Sequence, residues 1–539
     1  MAFLKKLWRP EVGIFLIIWL MLMIGGRSRF FRDPGTFWHT VVGRQMLSSH
    51  HLIYQDHFTF TFAGEKWVAH QWLGECAMAL VDKIDGLDSL LLATVTILAA
   101  LYTWLAHRLI REGLHWALAS VVLMLTIAAS SSHFHVRPHI ATIVFLAIMY
   151  GLFCDFERGR IGFRALLWLI PLSIVWTNVH GGILGGLATL ILAWAGWSLY
   201  RVIGWESPFT GFRQIVSLAL VIVACGIAIL INPYGLDLPR AWQIIMKADL
   251  PGLIIEHAPL DPRSPGGLMI LSFGAVYVFV LAGVFPGRPR VTWLLPLVWF
   301  YLACTRIRHA PLFAVTATVA LADMLPATRW ARWLARPGSD LFVYSAKESS
   351  IGPDGSFRPT PYLLPCAAVL VAFFLLVYRV PAWTFQLGPV ELATPGHGCA
   401  KLDPDYWPVD LLPDLKKFQK ARPDGTPIFN EYLFGGFLIY FTPGYRVFVD
   451  DRCELFGDRW LKEYVQVERG TQDARLAFKQ WEDMHHPFDF ALIDFALTRT
   501  GSTFDDYFRT SGWIVIKKTD TATFYKRNDF DTLARNDGR

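Results

Sequence analysis

Apolar residues along this chain gather into long unbroken runs before they begin to alternate. Runs long enough to cross a bilayer fall at 11–26, 87–106, 114–132, 139–155, 163–179, 182–200, 214–231, 267–285, 291–304, 309–325 and 361–380. A spanning helix needs about 20 mostly apolar residues, so the pattern predicts a polytopic α-helical membrane protein with about eleven spans. From about residue 390 the pattern changes. "GGFLIYF", "YRVFVDD", "FDFALIDF" and "WIVIKKTDTATFYKR" alternate in the manner of strands. The predicted organisation is a helical membrane part over 1–385 with a large first outer loop (27–86), a Pro-rich linker over 386–412, and a soluble α/β domain over 413–539.

Composition supports the membrane class. Of 539 residues, 54% are hydrophobic and only 17% charged, against about a quarter charged in an average soluble domain. Twenty-two tryptophans fit interfacial belts. The net charge of +6 is spread along the chain with no block of like charge, which argues against nucleic acid as a partner. The basic start and apolar core of "MAFLKKLWRPEVGIFLIIWLMLMIGG" are followed by "GRSRFF" and no small-x-small cleavage site, so this segment reads as a retained first helix. Seven cysteines occur without a CxxC pair. Five lie in or beside apolar segments; Cys399 and Cys453 lie in the polar part and can pair if that part is extracytoplasmic.

Charge also sets an expected orientation. Lys5, Lys6 and Arg9 place the N-terminus in the cytoplasm by the positive-inside rule. Counting spans from there, the inner loops are short, basic or plain. The outer segments carry "SSSHFHVRPH", "TNVHGG", "NPYG…IIEHAPLDP", "TRIRHAP" and the C-terminal domain. Ionisable residues near membrane depth are costly and line cavities. Their convergence on one side from many helix ends predicts an extracytoplasmic site in an inner (cytoplasmic) membrane protein.

Individual residues follow from that convergence. "DPGTFWHTVVGRQML" reads as an amphipathic interfacial helix with Asp33 as its cap and Pro34 as its first residue. Asp33 and, more weakly, Asp56 are the candidate catalytic acids and the candidate ligands for a metal. Arg137, Arg306, Arg308 and His309 are candidates for holding a phosphate. His39, His70, Glu75, His133, His135, His139, Asn178, His180, Glu256 and His257 complete the expected pocket. The alternate histidines of "HFHVRPH" have a spacing that zinc also accepts, but no HExxH or Cys/His framework accompanies them, and with Arg137 they favour an anion. "NPYG" is a turn signal in its own right.

With "RDPGTFWHTVVGRQML", "YQDHFTFT" and "WTNVHGG" in a layout of one helix, an acid-bearing outer loop, many spans and an outer C-terminal domain, the chain resembles the GT-C superfamily of integral membrane glycosyltransferases. "FNEYLFGGFLIYFTPGYRVFVDDRCELFG" is distantly similar to a stretch of oligosaccharyltransferase outer domains, without their Trp-Trp-Asp-Tyr-Gly run. The resemblance implies a polyprenyl-phosphate-linked sugar as donor, transfer to a glycan, protein or lipid acceptor outside the cytoplasm, and a divalent cation (Mg or Mn) as the one possible cofactor. In that picture Asp33 takes the acceptor's proton and the arginines stabilise the leaving phosphate. A transporter or flippase for a lipid-linked or anionic solute, and a non-catalytic membrane scaffold, are the competing classes. A hydrolase is disfavoured, since neither GxSxG nor HExxH occurs.

Overall fold

The computed structural model describes residues 9–248, 257–334, 362–388, 390–485, 487–494 and 503–528. Among these, seven helices are long and apolar enough to cross a membrane: Pro10–Arg29, Leu87–Arg111, Trp116–His133, His139–Glu157, Ile183–Val202, Pro265–Ala282 and Ile307–Ala327. Phe163–Val179, Phe212–Ala228, Val291–Thr305 and Leu363–Val377 are shorter apolar helices. Every apolar run of the sequence falls on one of these helices. Their outward faces are greasy: Ile17 and Met21 on the first, Leu220 and Ile227 on Phe212–Ala228, Val371 and Phe374 on Leu363–Val377 are all exposed. Apolar residues on outer as well as inner faces are what lipid requires and water penalises.

The C-terminal part holds a five-stranded mixed sheet in the order β4-β3-β5-β7-β6. A separate hairpin pairs β1 (Thr384–Leu387) with β2 (Val390–Ala393). In the sheet, β3 (Thr426–Asn430) runs parallel to β4 (Tyr445–Val447) and β5 (Phe490–Asp494), while β7 (Ala522–Lys526) is antiparallel to β5 and to β6 (Ile514–Lys518). Phe429, Phe448, Phe478, Trp481, Phe504 and Phe508 fill one face with ring-to-ring contacts under helices Cys453–Glu468, Ala474–Met484 and Thr503–Thr510.

This sheet is fastened to the first outer loop. Thr59 bridges Val447 in parallel, with Phe60 N–H donating to the Val447 carbonyl and Val447 N–H to the Phe58 carbonyl, both at 3.0 Å. The loop therefore covers the β4 edge, which would otherwise offer unpaired backbone. Residues 386–412 run back over the helices: Arg27 Nε donates to the Cys399 carbonyl at 3.1 Å, and the buried Trp407 indole donates to the Phe31 carbonyl at 2.8 Å.

Four expectations change. "GGFLIYF" is a helix, Gly435–Phe441, not a strand. Gly435 to Ile439 are all buried, so no single face shows a helical period. Helix Gly35–Ser49 begins one residue later than expected, with Pro34 at its cap position. It does not float at the interface: residues 35–40 are buried, and Phe37 packs edge-on against Trp407 and Phe437 of the C-terminal part. Cys399 and Cys453 are both free thiols, each buried.

The fourth change concerns the opposite helix ends. They are not plain. Arg108, Arg111, Arg158 and Arg160 interlock with Glu112, Asp155 and Asp323 at distances such as 2.9 Å for Arg108–Asp155 and 3.1 Å for Arg160–Asp323. The sequence hid this because most of the partners come from separate loops, whose mixed charges show no pairing until the loops meet.

Candidate functional site

Asp33 follows the first spanning helix, and its environment is set by three elements. Its Oδ1 accepts the Gly35 N–H at 2.7 Å, which closes the turn into helix Gly35–Ser49. Arg137, just before helix His139–Glu157, donates Nη1 to Oδ1 at 3.1 Å and to Oδ2 at 2.9 Å. A Cβ on Gly35 would lie 2.8 Å from the Arg137 guanidinium carbon and 2.8 Å from Asp33 Oδ1, so a larger residue there would displace the pair. Burial pushes the Asp33 carboxyl up, but Arg137, aided by His135 and His139, outweighs it and holds the pKa at about 2. Asp33 is a fixed anion.

The histidines at neighbouring helix ends form a chain. Ring centroids are separated by 6.5 Å for His133–His135, 6.4 Å for His135–His139 and 6.5 Å for His139–His180. His139 Nε2 meets the His133 carbonyl at 2.8 Å. His180 Nδ1 accepts the Gly182 N–H at 3.0 Å and faces the Thr142 hydroxyl at 2.8 Å. That leaves the proton on His180 Nε2, so its ring offers a donor. Burial, then the nearby His139 and Arg308, keeps this imidazole neutral. These spacings, 6 Å and more between rings, suit a train of hydrogen-bond donors rather than one tetrahedral zinc.

Arg308 extends the cationic side. Its Nη1 lies 2.6 Å from His257 Nε2. Burial and then Arg308, Arg306 and His309 depress the His257 pKa to about 3, so the ring is a neutral acceptor. Arg306, Arg308, His309 and His257 thus form one group, which is electrostatically linked through Arg137 to the Asp33 side. Glu256 lies outside the described residues.

Other expected pocket residues have structural partners. Asn178 accepts from the Trp72 indole at 2.8 Å and donates to the carbonyls of Ile174 and Ile231, so its amide is spent on tying helix ends together. His70 accepts from Gln71 at 3.0 Å and faces Glu454 at 3.7 Å. His39 and Glu75 are fully buried and bond each other at 2.8 Å. Asp56 is sealed in an ion cluster: Arg452 Nη2 lies 2.7 Å from Asp56 and 2.6 Å from Asp450, with all three side chains inaccessible. Its carboxyl also accepts from Thr59 N–H and Oγ1.

The residue types suit a divalent cation, but the geometry at Asp33 and Asp56 does not. Each carboxylate has a guanidinium within 2.9 Å, and that cation occupies and repels the place an ion would take. A different group, Asp85, Asp88 and His397, offers ligand atoms all within 4.8 Å of one another. There Asp88 accepts the Gly398 and Ala400 N–H groups at 2.8 and 2.6 Å, and Asp85 meets His397 at 2.9 Å. This arrangement latches the 397–400 segment to the start of helix Leu87–Arg111.

The residues the sequence reading passed over are Asp450, Asp451, Arg452 and Glu454. They sit just past the carboxyl end of β4, a parallel strand. Ligands in parallel α/β sheets gather at strand carboxyl ends, so "VDDRCE" carried a usable signal. Asp451 interacts electrostatically with both Arg137 and Asp33, and Glu454 accepts from the Trp67 indole at 3.0 Å.

No family model matches the chain, and no curated protein matches it in sequence. Among solved structures, it is similar to the apo crystal structure of the Archaeoglobus fulgidus oligosaccharyltransferase at 12% identity and a TM-score of 0.47, covering 92% of this chain and 71% of that one. A likeness that loose carries no argument about activity.

Proposed function

We propose that this chain is a membrane glycosyltransferase of GT-C-like layout, moving a sugar from a polyprenyl-phosphate-linked donor to an acceptor on the extracytoplasmic side, with inversion at the sugar carbon. The N-terminus is then cytoplasmic and the C-terminal domain extracytoplasmic. The observation that supports this best is that Arg137, paired with the anionic Asp33, and Arg308, paired with His257, come from separate helix ends and lie within electrostatic reach of the same buried His180. A lipid-anchored phosphate meets protein at just such helix ends, where its tail stays between apolar helices. Guanidinium groups fixed in a partly dry cleft stabilise charge that grows on a departing phosphate more than mobile water does. Asp33 holds Arg137 in place through both carboxylate oxygens. The transporter alternative loses support from the opposite helix ends, whose charges are locked in mutual ion pairs.

The test is purified protein in lipid nanodiscs supplied with a polyprenyl-phosphate-linked hexose and a mixture of glycan, peptide and lipid acceptors, following release of polyprenyl phosphate. Wild type should release it. Arg308→Gln, which leaves the Asp33–Arg137 pair in place, should raise the apparent KM about tenfold or more, the scale of a lost hydrogen bond to a charged group. No release by the wild-type protein, or an unchanged KM in Arg308→Gln, overturns the reading.

A further inference from the structure

One acid beside this site has no part in the account so far. Asp33 is poorly suited to accept a proton, because an amide and a guanidinium already occupy Oδ1 and the same guanidinium binds Oδ2. A carboxylate engaged in this way is a weak base. Asp451 differs: its Oδ1 is buried and accepts no hydrogen bond.

Two successive glycines set where Asp451 stands. A Cβ on Gly435 would lie 2.2 Å from the Val449 carbonyl and 2.7 Å from Asp450 Cα; a Cβ on Gly436 would lie 2.2 Å from the Pro34 carbonyl. The 449–451 backbone and the 33–35 turn are therefore pressed against neighbouring residues of one short helix. Arg452 separates the paired acids by chemistry: it binds Asp450 through Nε at 2.9 Å and Nη2 at 2.6 Å, leaving Asp451 to face the Asp33–Arg137 side.

We infer that Asp451, contributed by the C-terminal domain, is the group that takes the acceptor's proton. This rests on the glycosyl-transfer reading. The acceptor oxygen forms a bond to the sugar C1. The bond from C1 to the phosphate oxygen breaks, and its electron pair stays on the phosphate beside the guanidinium groups. The acceptor's proton passes to Asp451, which later loses it to water. The groups facing Asp451 are Arg137, Asp33, Asp450, Tyr432 and Cys453. Burial, opposed by Arg137 and reinforced by Asp33 and Asp450, lifts its carboxyl above the ordinary range, which makes it a stronger base than Asp33. The transfer site is then shared between the membrane part and the C-terminal domain.

The experiment uses the full chain in nanodiscs with the polyprenyl-phosphate-linked hexose and the acceptor mixture for turnover, and polyprenyl phosphate alone for binding. Asp451→Asn should lower kcat at least about 100-fold, the scale of a lost general base, while binding polyprenyl phosphate within threefold of wild type. Asp451→Glu should recover a measurable part of kcat. Wild-type-like kcat in Asp451→Asn, or lost activity in both variants together with lost binding, overturns the inference and leaves the glycosyl-transfer reading standing. A wild-type protein that neither binds nor turns over the lipid removes both.

Discussion

His39 and Glu75 meet at 2.8 Å between helices Gly35–Ser49 and Trp72–Asp85, with neither side chain open to solvent. Their second polar atoms, His39 Nε2 and Glu75 Oε2, have no hydrogen-bond partner. Burial depresses the His39 pKa, and burial with Glu454 nearby raises that of Glu75. The pair is therefore neutral on both sides, held shut by the close approach of Gly43, where a Cβ would lie only 2.0 Å from the Glu75 carbonyl, a distance that excludes any side chain.

A prediction follows from the sign of each shift. Glu75 keeps its proton when folded and releases it on unfolding, so it lowers stability as pH rises above its ordinary pKa of 4.5. His39 works the other way up to its ordinary 6.5, because only the unfolded chain takes up its proton. Above 6.5 only the Glu75 penalty still grows. Glu75→Gln removes that penalty and keeps a neutral hydrogen-bonding group. Its thermal midpoint relative to wild type should rise by more at pH 8 than at pH 5.5, and an equal shift at both would show Glu75 to be ionised in the fold.

Asp56 is expected to behave as a structural residue. Its partner Arg452 is wholly buried between two carboxylates. Asp56→Asn breaks one side of a buried ion cluster, which costs about 3 kcal/mol. Burial raises the Asp56 carboxyl, but Arg452 and the hydrogen bonds from Thr59 together hold it below its ordinary 3.8, so the contribution is present above 3.8 and fades as pH falls below that. Thermal unfolding should show a large deficit at pH 7 that narrows toward pH 3.5. A fully stable variant with no transfer activity would return Asp56 to the catalytic list.

The network at the opposite helix ends should matter to stability and not to chemistry. Asp323 accepts from Arg158 and Arg160 at 3.1 Å each while almost fully buried. Asp323→Asn should cost about 1.5–3 kcal/mol, the range for hydrogen bonds to charged groups. Hexose transfer per folded molecule should stay within twofold of wild type. A larger loss of turnover would mean that these ends take part in the reaction cycle.

The spans were the most legible part of the sequence, because a run of lipid-facing residues is local and each side of the helix is apolar. Arg137 and Arg308 were legible for the same reason: a cation at the end of an apolar helix stands out. What stayed hidden depends on pairs far apart in the chain. Asp56 looked like a second catalytic acid until Arg452, nearly four hundred positions later, cancelled its charge. Asp451 was read as the tail of a strand. Gly435–Phe441 is apolar throughout, so neither a strand nor a helix period stands out in it, and it folds as a helix packed against Pro34 and Val449.

Gly436 offers the most direct test of how the two parts are joined. An added Cβ would stand 2.2 Å from the Pro34 carbonyl oxygen, a backbone atom of the turn that carries Asp33, so that turn would have to move. Gly436→Ala should therefore cost about 1–3 kcal/mol by overpacking, and the strain should fall on the contact between the 33–35 turn and the C-terminal domain. Gly25→Ala is the control, because a Cβ there meets nothing within 4 Å. Amide exchange should rise at Phe60, whose N–H bonds the Val447 carbonyl across the same junction, and hexose transfer should fall more than polyprenyl phosphate binding. Unchanged exchange at Phe60 together with wild-type turnover would mean that the junction yields without cost and that the reaction does not depend on its closure.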